Sequence, residues 1–314
     1  MLFRSGQSGQ DGITINADDV TLDLNGFALI GVPGSLTGIN VPGAQRNITV
    51  MNGSVRDWGF FGIGSLNSSD GRYQDVGVFN SGSNGILVGE GHVILRCTAE
   101  GNSGVGISTG DRSIVSHCTA KSNSGWGIEV DSGSTVESCT VDSNTSHGIL
   151  TENFFDATYS ITNCVAVNNG GVGINAQIGG SVIGCTASGN LDGIFVGSGG
   201  IALNCSVTEN TRDGISVHFN GRVISNNCED NGAAGIHSTG VGARIEGNSL
   251  TFNDMGIVVD SSGNLIVKNS ARVNPSGHYN IAAGNSVGPI VNVVGVGDIS
   301  GVANSNHPWA NFVH

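Results

Sequence analysis

The 314-residue sequence is poor in charged residues, aromatic residues and proline. Charged residues make up 12% and aromatic residues 5%, and there are 5 prolines against 52 glycines. No apolar run approaches the roughly 20 residues of a membrane-spanning helix, so we expect no membrane span. Basic residues are also scarce, since 12 of them oppose 25 acidic residues and give a net charge of -13. Because nucleic acids require a basic surface, the sequence argues against a nucleic-acid partner.

The first residues lack the apolar stretch of a signal peptide. The repeat described below begins abruptly at Gly12, with no capping element before it. We therefore expect an exported protein, extracellular or at the cell surface, whose export segment is absent from this sequence.

What the sequence does contain is a repeat. The dipeptide Gly-Ile occurs twelve times, with isoleucine at positions 13, 39, 63, 86, 107, 128, 149, 174, 194, 215, 236 and 257, and a degenerate copy ends at Ile281. From Ile86 onward most intervals are 20 or 21 residues. This period is typical of one turn of a β-solenoid, whereas leucine-rich repeats need recurrent leucines and helical repeats do not tolerate so much glycine.

Seven cysteines recur at what we predict to be one point of each coil: Cys97, Cys118, Cys139, Cys164, Cys185, Cys205 and Cys228. Their odd number and the lack of a Cys-x-x-Cys pair argue against disulfides or zinc. Free cysteine packs as a small apolar residue, so a stacked column of cysteines is predicted inside the coils. A second column, which we predict to be a ladder of hydrogen-bonded asparagines, comprises Asn102, Asn123, Asn144, Asn168, Asn190, Asn210, Asn231, Asn253 and Asn274.

These columns predict an all-β fold, a single-stranded right-handed parallel β-helix of about 12–13 coils. Each coil would contribute one short strand to each of three parallel sheets, with the cysteine and asparagine ladders inside. Residues 1–281 are assigned to the β-helix, and residues 282–314 lose the repeat and are predicted to form a C-terminal cap that covers the exposed sheet edges.

These repeats resemble those of the pectate-lyase-like superfamily of right-handed parallel β-helices, over roughly residues 12–281. The segment 19–26, Asp-Val-Thr-Leu-Asp-Leu-Asn-Gly, is similar to the opening coil of many uncharacterised bacterial members. Characterised members include polysaccharide lyases, pectin-type glycoside hydrolases, alginate epimerases and phage tailspikes. The resemblance therefore implies an extended sugar polymer as the partner but does not select one reaction.

Aligning the coils brings Asp192, Asp213, His218 and His237 together as candidate catalytic residues, with Phe195 and Arg212 as candidate substrate-binding neighbours. The two aspartates precede successive Gly-Ile pairs and should lie about one strand spacing apart. Two such close carboxylates should not ionise equally, so we expect the pKa of one to rise and that residue to act as a general acid.

The reaction stays open between hydrolysis and elimination. The Asn-Leu-Asp-Gly sequence at 190–193 partly resembles the catalytic motif of pectin-type hydrolases, although their double aspartate and Gly-His-Gly are missing. A lyase or epimerase would instead use His218 or His237 as the base and Arg212, or a calcium ion bound by aspartate, to neutralise the enolate. No cofactor is required, and no metal ligands are assigned. A third interpretation is that aspartate before Gly-Ile only suits a turn, as Asp11 does.

A second candidate patch, for binding sugar, contains Trp126, Glu129, Asp131 and His147, where an exposed indole would lie beside carboxylates. The coil through residues 153–159 is about four residues longer than the norm and carries an aromatic insertion suited to a binding wall.

We therefore predict a polysaccharide-cleaving enzyme, a lyase or glycoside hydrolase. The alternative is a non-catalytic glycan-binding or scaffold solenoid, which the short regular coils would favour. The oligomeric state and the sugar are not predicted.

Overall fold

The computed structural model describes residues 2–4, 6–152 and 158–314. The chain is all-β and forms a parallel β-solenoid of about 13 turns, as predicted. None of the described residues forms a helix that is long and apolar enough to cross a membrane. Of the predicted aromatic insertion, residues 153–157 lie outside the described residues.

Two compact units are present, the first ending at Gly171 and the second starting at Val172 among the described residues. One strand of each coil begins at or near the Gly-Ile pair. In the first unit these strands are Ile13–Thr14, Ile39–Asn40, Ile63–Ser69, Ile86–Glu90, Ile107–Thr109, Ile128–Val130 and Ile149–Thr151. In the second unit they are Val172–Ala176, Asp192–Val196, Ile215–Val217, Ala234–Ser238, Met255–Val259 and Gly277–Ile281.

The remaining strands complete the coils and also pair in parallel. In the first unit they are Leu2–Arg4, Thr21–Asp23, Ala28–Ile30, Thr49–Arg56, Arg72–Phe79, Val93–Leu95, Thr98–Glu100, Ile114–Ser116, Thr119–Lys121, Thr135–Glu137, Thr140–Asp142, Tyr159–Thr162 and Val165–Val167. In the second unit they are Gly180–Ile183, Thr186–Ser188, Ile201–Leu203, Ser206–Thr208, Arg222–Ile224, Asn227–Glu229, Arg244–Glu246, Ser249–Thr251, Leu265–Val267, Ser270–Arg272, Ser286–Val287, Ile290–Asn292 and Asn311–Val313.

Strand alternation separates the core from the outer surface. Ile128 and Val130 are fully buried, while Glu129 between them points outward and is only partly covered. Ile128 pairs in register with Ile107 on one side and Ile149 on the other. Residues about 21 apart in the sequence are therefore neighbours in space, which confirms the predicted columns. Every outward side chain consequently has an equivalent on the adjacent coils.

The asparagine ladder is confirmed, with one correction. Asn123 Nδ2 donates to Asn144 Oδ1 at 2.9 Å, and the backbone N–H of Asn123 donates to the same oxygen at 3.1 Å. Asn144 Nδ2 bonds at 2.9 Å to Asn169, not to the predicted Asn168. Asn168 is exposed and adopts φ 55°, the left-handed turn position that precedes each ladder asparagine. The prediction of Asn168 as a rung was wrong by one residue.

The cysteine column is confirmed for Cys118 and Cys139, since the backbone N–H of Cys118 lies 3.4 Å from Cys139 Sγ. All seven cysteines are buried, and none is in a disulfide. Placing Cys228 in that column was wrong. The backbone N–H of Cys205 bonds to Asn226 Oδ1 at 2.9 Å, and Cys228 pairs in register with Val207 on a neighbouring column of small apolar residues. Cysteine fits either column because it is small and packs as an apolar residue.

The final residues join the second unit through strand pairing. Asn311–Val313 pairs in parallel with Ser270–Arg272, and Asn269 Nδ2 donates to Asn311 Oδ1 at 3.1 Å. The asparagine series Asn226, Asn248 and Asn269 therefore ends on Asn311 rather than on solvent. The boundary predicted at residue 281 stays a prediction.

Candidate functional site

An open groove of about 660 Å³ crosses the outer surface of the first unit where the Gly-Ile strands end. Gly89 and Gly110 line it on successive coils, and their backbones are closely packed, since a Cβ at Gly110 would lie 2.8 Å from the carbonyl carbon of Gly89. Asp131 lines the groove one coil further along, and Asp111 and Arg46 also border it. The groove is thus open to a long ligand and carries mainly acidic groups.

Glu129 lies beside this groove, two residues before Asp131 on the same outward side. Ser108, directly opposite on the preceding coil, donates its hydroxyl to Glu129 Oε2 at 2.9 Å. Burial raises the pKa of Glu129 to about 7, against the Ser108 hydrogen bond, and the carboxylate of Glu152 raises it further. Glu129 is therefore a carboxyl group that holds or releases a proton near neutral pH.

Asp131 shares the same electrostatic environment. Burial raises the pKa of Asp131 to about 6, and the negative charges of Glu152 and Asp111 add to the effect. Tyr159 is buried beside them, its hydroxyl donates to the backbone carbonyl of Glu152, and burial together with these charges raises the pKa of Tyr159 to about 12. Tyr159 is therefore a neutral donor at physiological pH, and the cluster contains two carboxyls poised for proton transfer.

Trp126 and His147, predicted in the same sugar-binding patch, lie at the other end of these strands. Each precedes a Gly-Ile pair, and the two are linked by the backbone bond from Gly127 N–H to the His147 carbonyl at 3.0 Å. Both side chains are half-buried. The predicted indole is consequently less exposed than expected, and its sugar-binding role stays a prediction.

In the second unit, Asp192 and Asp213 are adjacent as predicted, but each accepts a hydrogen bond from the backbone of the next coil. Asp192 Oδ1 accepts the backbone N–H of Asp213 at 3.2 Å, and Asp213 Oδ1 accepts the N–H of Ala234 at 3.1 Å. Asp11 does the same for Thr37 at 3.0 Å in the first unit. An aspartate before Gly-Ile therefore bonds to the equivalent backbone position one coil later, which favours the structural interpretation of this slot.

His237 is clamped between two carboxylates. Its Nδ1 lies 2.9 Å from Asp213 Oδ2, and its Nε2 lies 2.9 Å from Asp260 Oδ2. The hydrogen bond to Asp213 raises the pKa of His237 to about 9, against burial, and the bond to Asp260 adds to it. Burial alone would raise the pKa of Asp213, but the bonds from His237 and the Ala234 N–H lower it below its ordinary range. The expected general acid is therefore not Asp213, and His237 has no free lone pair to act as a base.

This ion triplet predicts a pH-dependent stability. The pKa of His237 is higher in the folded state, so its contribution is complete below about pH 6.5 and is lost as the pH rises to about 9. We expect the melting temperature to fall over this range. The corresponding loss in the free energy of unfolding is at most on the order of 3 kcal/mol. His237→Gln should flatten the fall, whereas the same slope in both proteins would contradict the assignment.

His218, Phe195 and Arg212 complete the predicted second-unit site but do not converge on one point. His218 Nδ1 lies 3.5 Å from Ser198 Oγ, and its ring contacts the ring of Phe219 at a tilt of 50° with centroids 4.1 Å apart, at the far end of the strand from Asp213. Arg212 Nε lies 3.3 Å from Asp192 Oδ1. Phe195 is half-buried and pairs in register with Ser216. The catalytic role of this group stays a prediction.

Comparison with known proteins identifies the fold. The model of a family described as "Right handed beta helix region" matches residues 37–211. This chain belongs to that β-helix family. No curated protein sequence matches the chain.

Solved structures agree with this β-helix assignment. The Azotobacter vinelandii mannuronan C-5 epimerase AlgE6 A-module is 18% identical, with a TM-score of 0.62 over 92% of this chain and 89% of that one. A double mutant of the periplasmic alginate epimerase AlgG is 12% identical, with a TM-score of 0.55 over 86% and 82%. A tailspike of E. coli bacteriophage HK620 is 11% identical, with a TM-score of 0.54 over 88% and 59%. At these identities the similarity establishes the fold alone.

A serine–histidine pair at the groove of this β-helix was not found from the sequence, and it does not suit nucleophilic catalysis. The Gly71 N–H donates to His92 Nδ1 at 3.0 Å, which places the ring proton on Nε2, 3.2 Å from Ser68 Oγ. Nε2 therefore donates and cannot accept the serine proton. Burial lowers the pKa of His92, which is fully buried.

No group of three or more described His, Cys, Asp or Glu residues is arranged to hold a metal ion. The calcium ion considered from the sequence stays a prediction.

Proposed function

We propose that this chain is a polysaccharide-active enzyme that cleaves glycosidic bonds in the groove of the first unit. The single observation that carries the proposal is the raised pKa of Glu129, about 7, beside a long open groove. Support for a polysaccharide substrate comes from the similar folds of the mannuronan and alginate epimerases.

Glu129 and Asp131 would act as a pair. Glu129 lies in the strand Ile128–Val130, and Asp131 follows that strand directly and lines the groove. Protonated Glu129 would donate to the leaving oxygen. Asp131, which is ionised at a lower pH because its pKa is about 6, would take a proton from the water that attacks the anomeric carbon as the glycosidic bond breaks. The negative charge of Glu152 would maintain the raised pKa values of the pair, and Tyr159 donates to the backbone carbonyl of Glu152.

Hydrolysis suits these groups better than elimination. A lyase or an epimerase needs a positive group to stabilise the enolate formed beside a uronate carboxylate. Of the described residues that line the groove, Arg46 is the only cation; it is exposed, and the groove is also lined by Glu90, Asp111 and Asp131. A carboxyl pair that exchanges a proton near neutral pH needs no such cation.

A panel of neutral glycans, pectate and alginate tests the proposal, with calcium added or chelated in parallel. Each reaction would be followed by reducing ends, by absorbance of an unsaturated product and by incorporation of solvent deuterium. We expect reducing ends without unsaturated product. An unsaturated product would indicate a lyase, and deuterium incorporation without cleavage an epimerase, the reaction named for the AlgE6 and AlgG structures. No turnover on any polymer would contradict the proposal and favour the alternative interpretation, a non-catalytic glycan-binding solenoid.

We also propose an extracellular or cell-surface location, where a protein would meet extended polysaccharides. The periplasmic location named for AlgG supports it.

A further inference from the structure

The strand Ile290–Asn292 is the outermost strand of its sheet in the second unit. It pairs in parallel with Asn311–Val313, which pairs in turn with Ser270–Arg272. No described strand pairs with the other edge of Ile290–Asn292. An unpaired strand edge presents backbone N–H and C=O groups that bond readily to another strand. This edge can therefore accept one more strand.

The backbone groups on the open edge belong to Ile290 and Asn292. On the paired edge, the Pro289 carbonyl accepts the N–H of Asn311 at 2.8 Å, and the N–H of Val293 donates to the same partner strand at 2.8 Å. Successive residues of a strand direct their N–H and C=O groups to opposite edges, so those of Ile290 and Asn292 point away from that partner. No described residue bonds to these four groups. The open edge thus presents two donors and two acceptors.

Apolar side chains are exposed at this edge and just beyond it. Ile290 is 50% exposed, and Val294, two residues after the strand, is 61% exposed. Val296 and Ile299 are exposed as well. Natural edge strands are commonly protected by charged side chains, but Ile290 and Asn292 carry no charge. The edge is consequently open to a partner in both its backbone and its side chains.

The charge distribution favours a second copy of the same chain as that partner. The chain has a net charge of -13, yet Asp298 is the only Lys, Arg, Asp or Glu between residues 282 and 314. Two acidic copies repel each other least where neither carries charge. A two-fold axis brings identical surfaces together, and it makes two identical strand edges antiparallel. The open edge is therefore its own complement.

We propose that two copies of this chain associate by antiparallel pairing of Ile290–Asn292 across a two-fold axis at Val291. With this axis, Ile290 of each copy lies opposite Asn292 of the other, and the two residues exchange both of their N–H···O bonds. All four open-edge groups of each copy are then satisfied. The interface involves no residue of the groove, so the inference does not depend on the proposed function.

Sedimentation equilibrium of the full chain from about 1 to about 100 µM tests the pairing. We expect a monomer–dimer equilibrium with a dissociation constant in this micromolar range, because the paired surface is small. Hydrogen exchange, followed over the same concentrations, should slow at the amides of Ile290 and Asn292 as the dimer forms. The amide of Val293, which is already bonded to Val313, should not change.

Two double variants test the register. In Ile290→Glu/Asn292→Glu, like charges lie opposite each other at both cross-strand positions, so the dissociation constant should rise at least about tenfold. In Ile290→Glu/Asn292→Lys, opposite charges take the same positions, and association should be at least about tenfold tighter than in the first variant. Both variants replace the same two residues, so their comparison isolates the cross-strand charges. Val241→Glu, at an exposed apolar residue of the second unit, controls for added charge and should associate as the unmodified chain does.

A chain that stays monomeric over the whole concentration range would overturn the proposal, and so would equal dissociation constants for the two double variants. Assembly that continues beyond the dimer would contradict it too, because a two-fold contact closes. If the monomeric chain instead bound a synthetic peptide with the sequence of residues 288–294, the edge would accept a foreign strand rather than a second copy. Should a double variant fail to fold, hydrogen exchange of the unmodified chain decides, since rates at Ile290 and Asn292 that do not depend on concentration refute the pairing.

Discussion

Replacing Glu129 with glutamine is expected to lower the turnover of a cleaved polysaccharide by at least about a hundredfold, with little change in melting temperature. Glutamine keeps the shape and still accepts the Ser108 hydrogen bond, but it carries no proton to donate. Loss of a general acid typically costs 10²–10⁴ in rate. Initial rates at saturating substrate measure the effect.

The matched control for this variant is Glu137→Gln. Glu137 also points outward and accepts a serine hydroxyl from the preceding coil, from Ser116 at 2.8 Å, but it lies on another sheet away from the groove. Equal losses of rate in the two variants would show that the effect is structural, and an unchanged rate in Glu129→Gln would refute the assignment.

The rate should also depend on pH in a way that identifies the pair. Glu129 must be protonated and Asp131 ionised, so activity should fall above about pH 7 and below about pH 6. A maximum between these values is expected for kcat/KM. In Glu129→Gln the alkaline fall should disappear from any residual activity, whereas its persistence would point to another acid.

Asn231→Ala is expected to destabilise the second unit by about 3–5 kcal/mol, through the loss of several buried hydrogen bonds at once. The Asn231 amide accepts from Asn210 Nδ2 at 2.9 Å and donates to Asn253 Oδ1 at 2.8 Å and to the Val207 carbonyl at 3.1 Å. Truncation leaves groups on both neighbouring coils unsatisfied. Urea denaturation followed by circular dichroism measures the loss.

The control for the ladder variant is Asn227→Ala, which removes an exposed asparagine from a strand of the same coil. We expect a change below about 0.5 kcal/mol there. If both variants unfold at the same urea concentration, the ladder contributes no more than a surface residue and the prediction is wrong.

Much of the architecture could be predicted because a solenoid converts sequence spacing into spatial contact. The 21-residue interval between Ile107 and Ile128 becomes a register pair, and the same rule places Asp192 beside Asp213. The errors occurred where two different positions of a coil suit the same type of residue. Both Asn168 and Asn169 suit a turn, and only the backbone conformation shows that Asn169 is the buried rung.

The chemistry of the candidate sites was harder to predict from the sequence. It depends on hydrogen-bond and charge partners from other coils, which the inward–outward alternation of a strand does not specify. Glu129 was predicted only as a sugar contact, although the column that aligns Asp131 with Glu152 already indicated a carboxylate cluster. His237 was predicted as a base, but its two carboxylate partners come from the preceding and following coils, and together they remove its free lone pair.

The sequence by itself determined which residues face inward and which residues stack, since alternation and a constant period leave a parallel solenoid few other arrangements. Only the tertiary structure decided which outward groups are covered and which are paired. The raised pKa of Glu129 depends on its burial and on the carboxylate of Glu152 from the next coil. Desolvation depends on every neighbouring atom, so no single column of residues could reveal it.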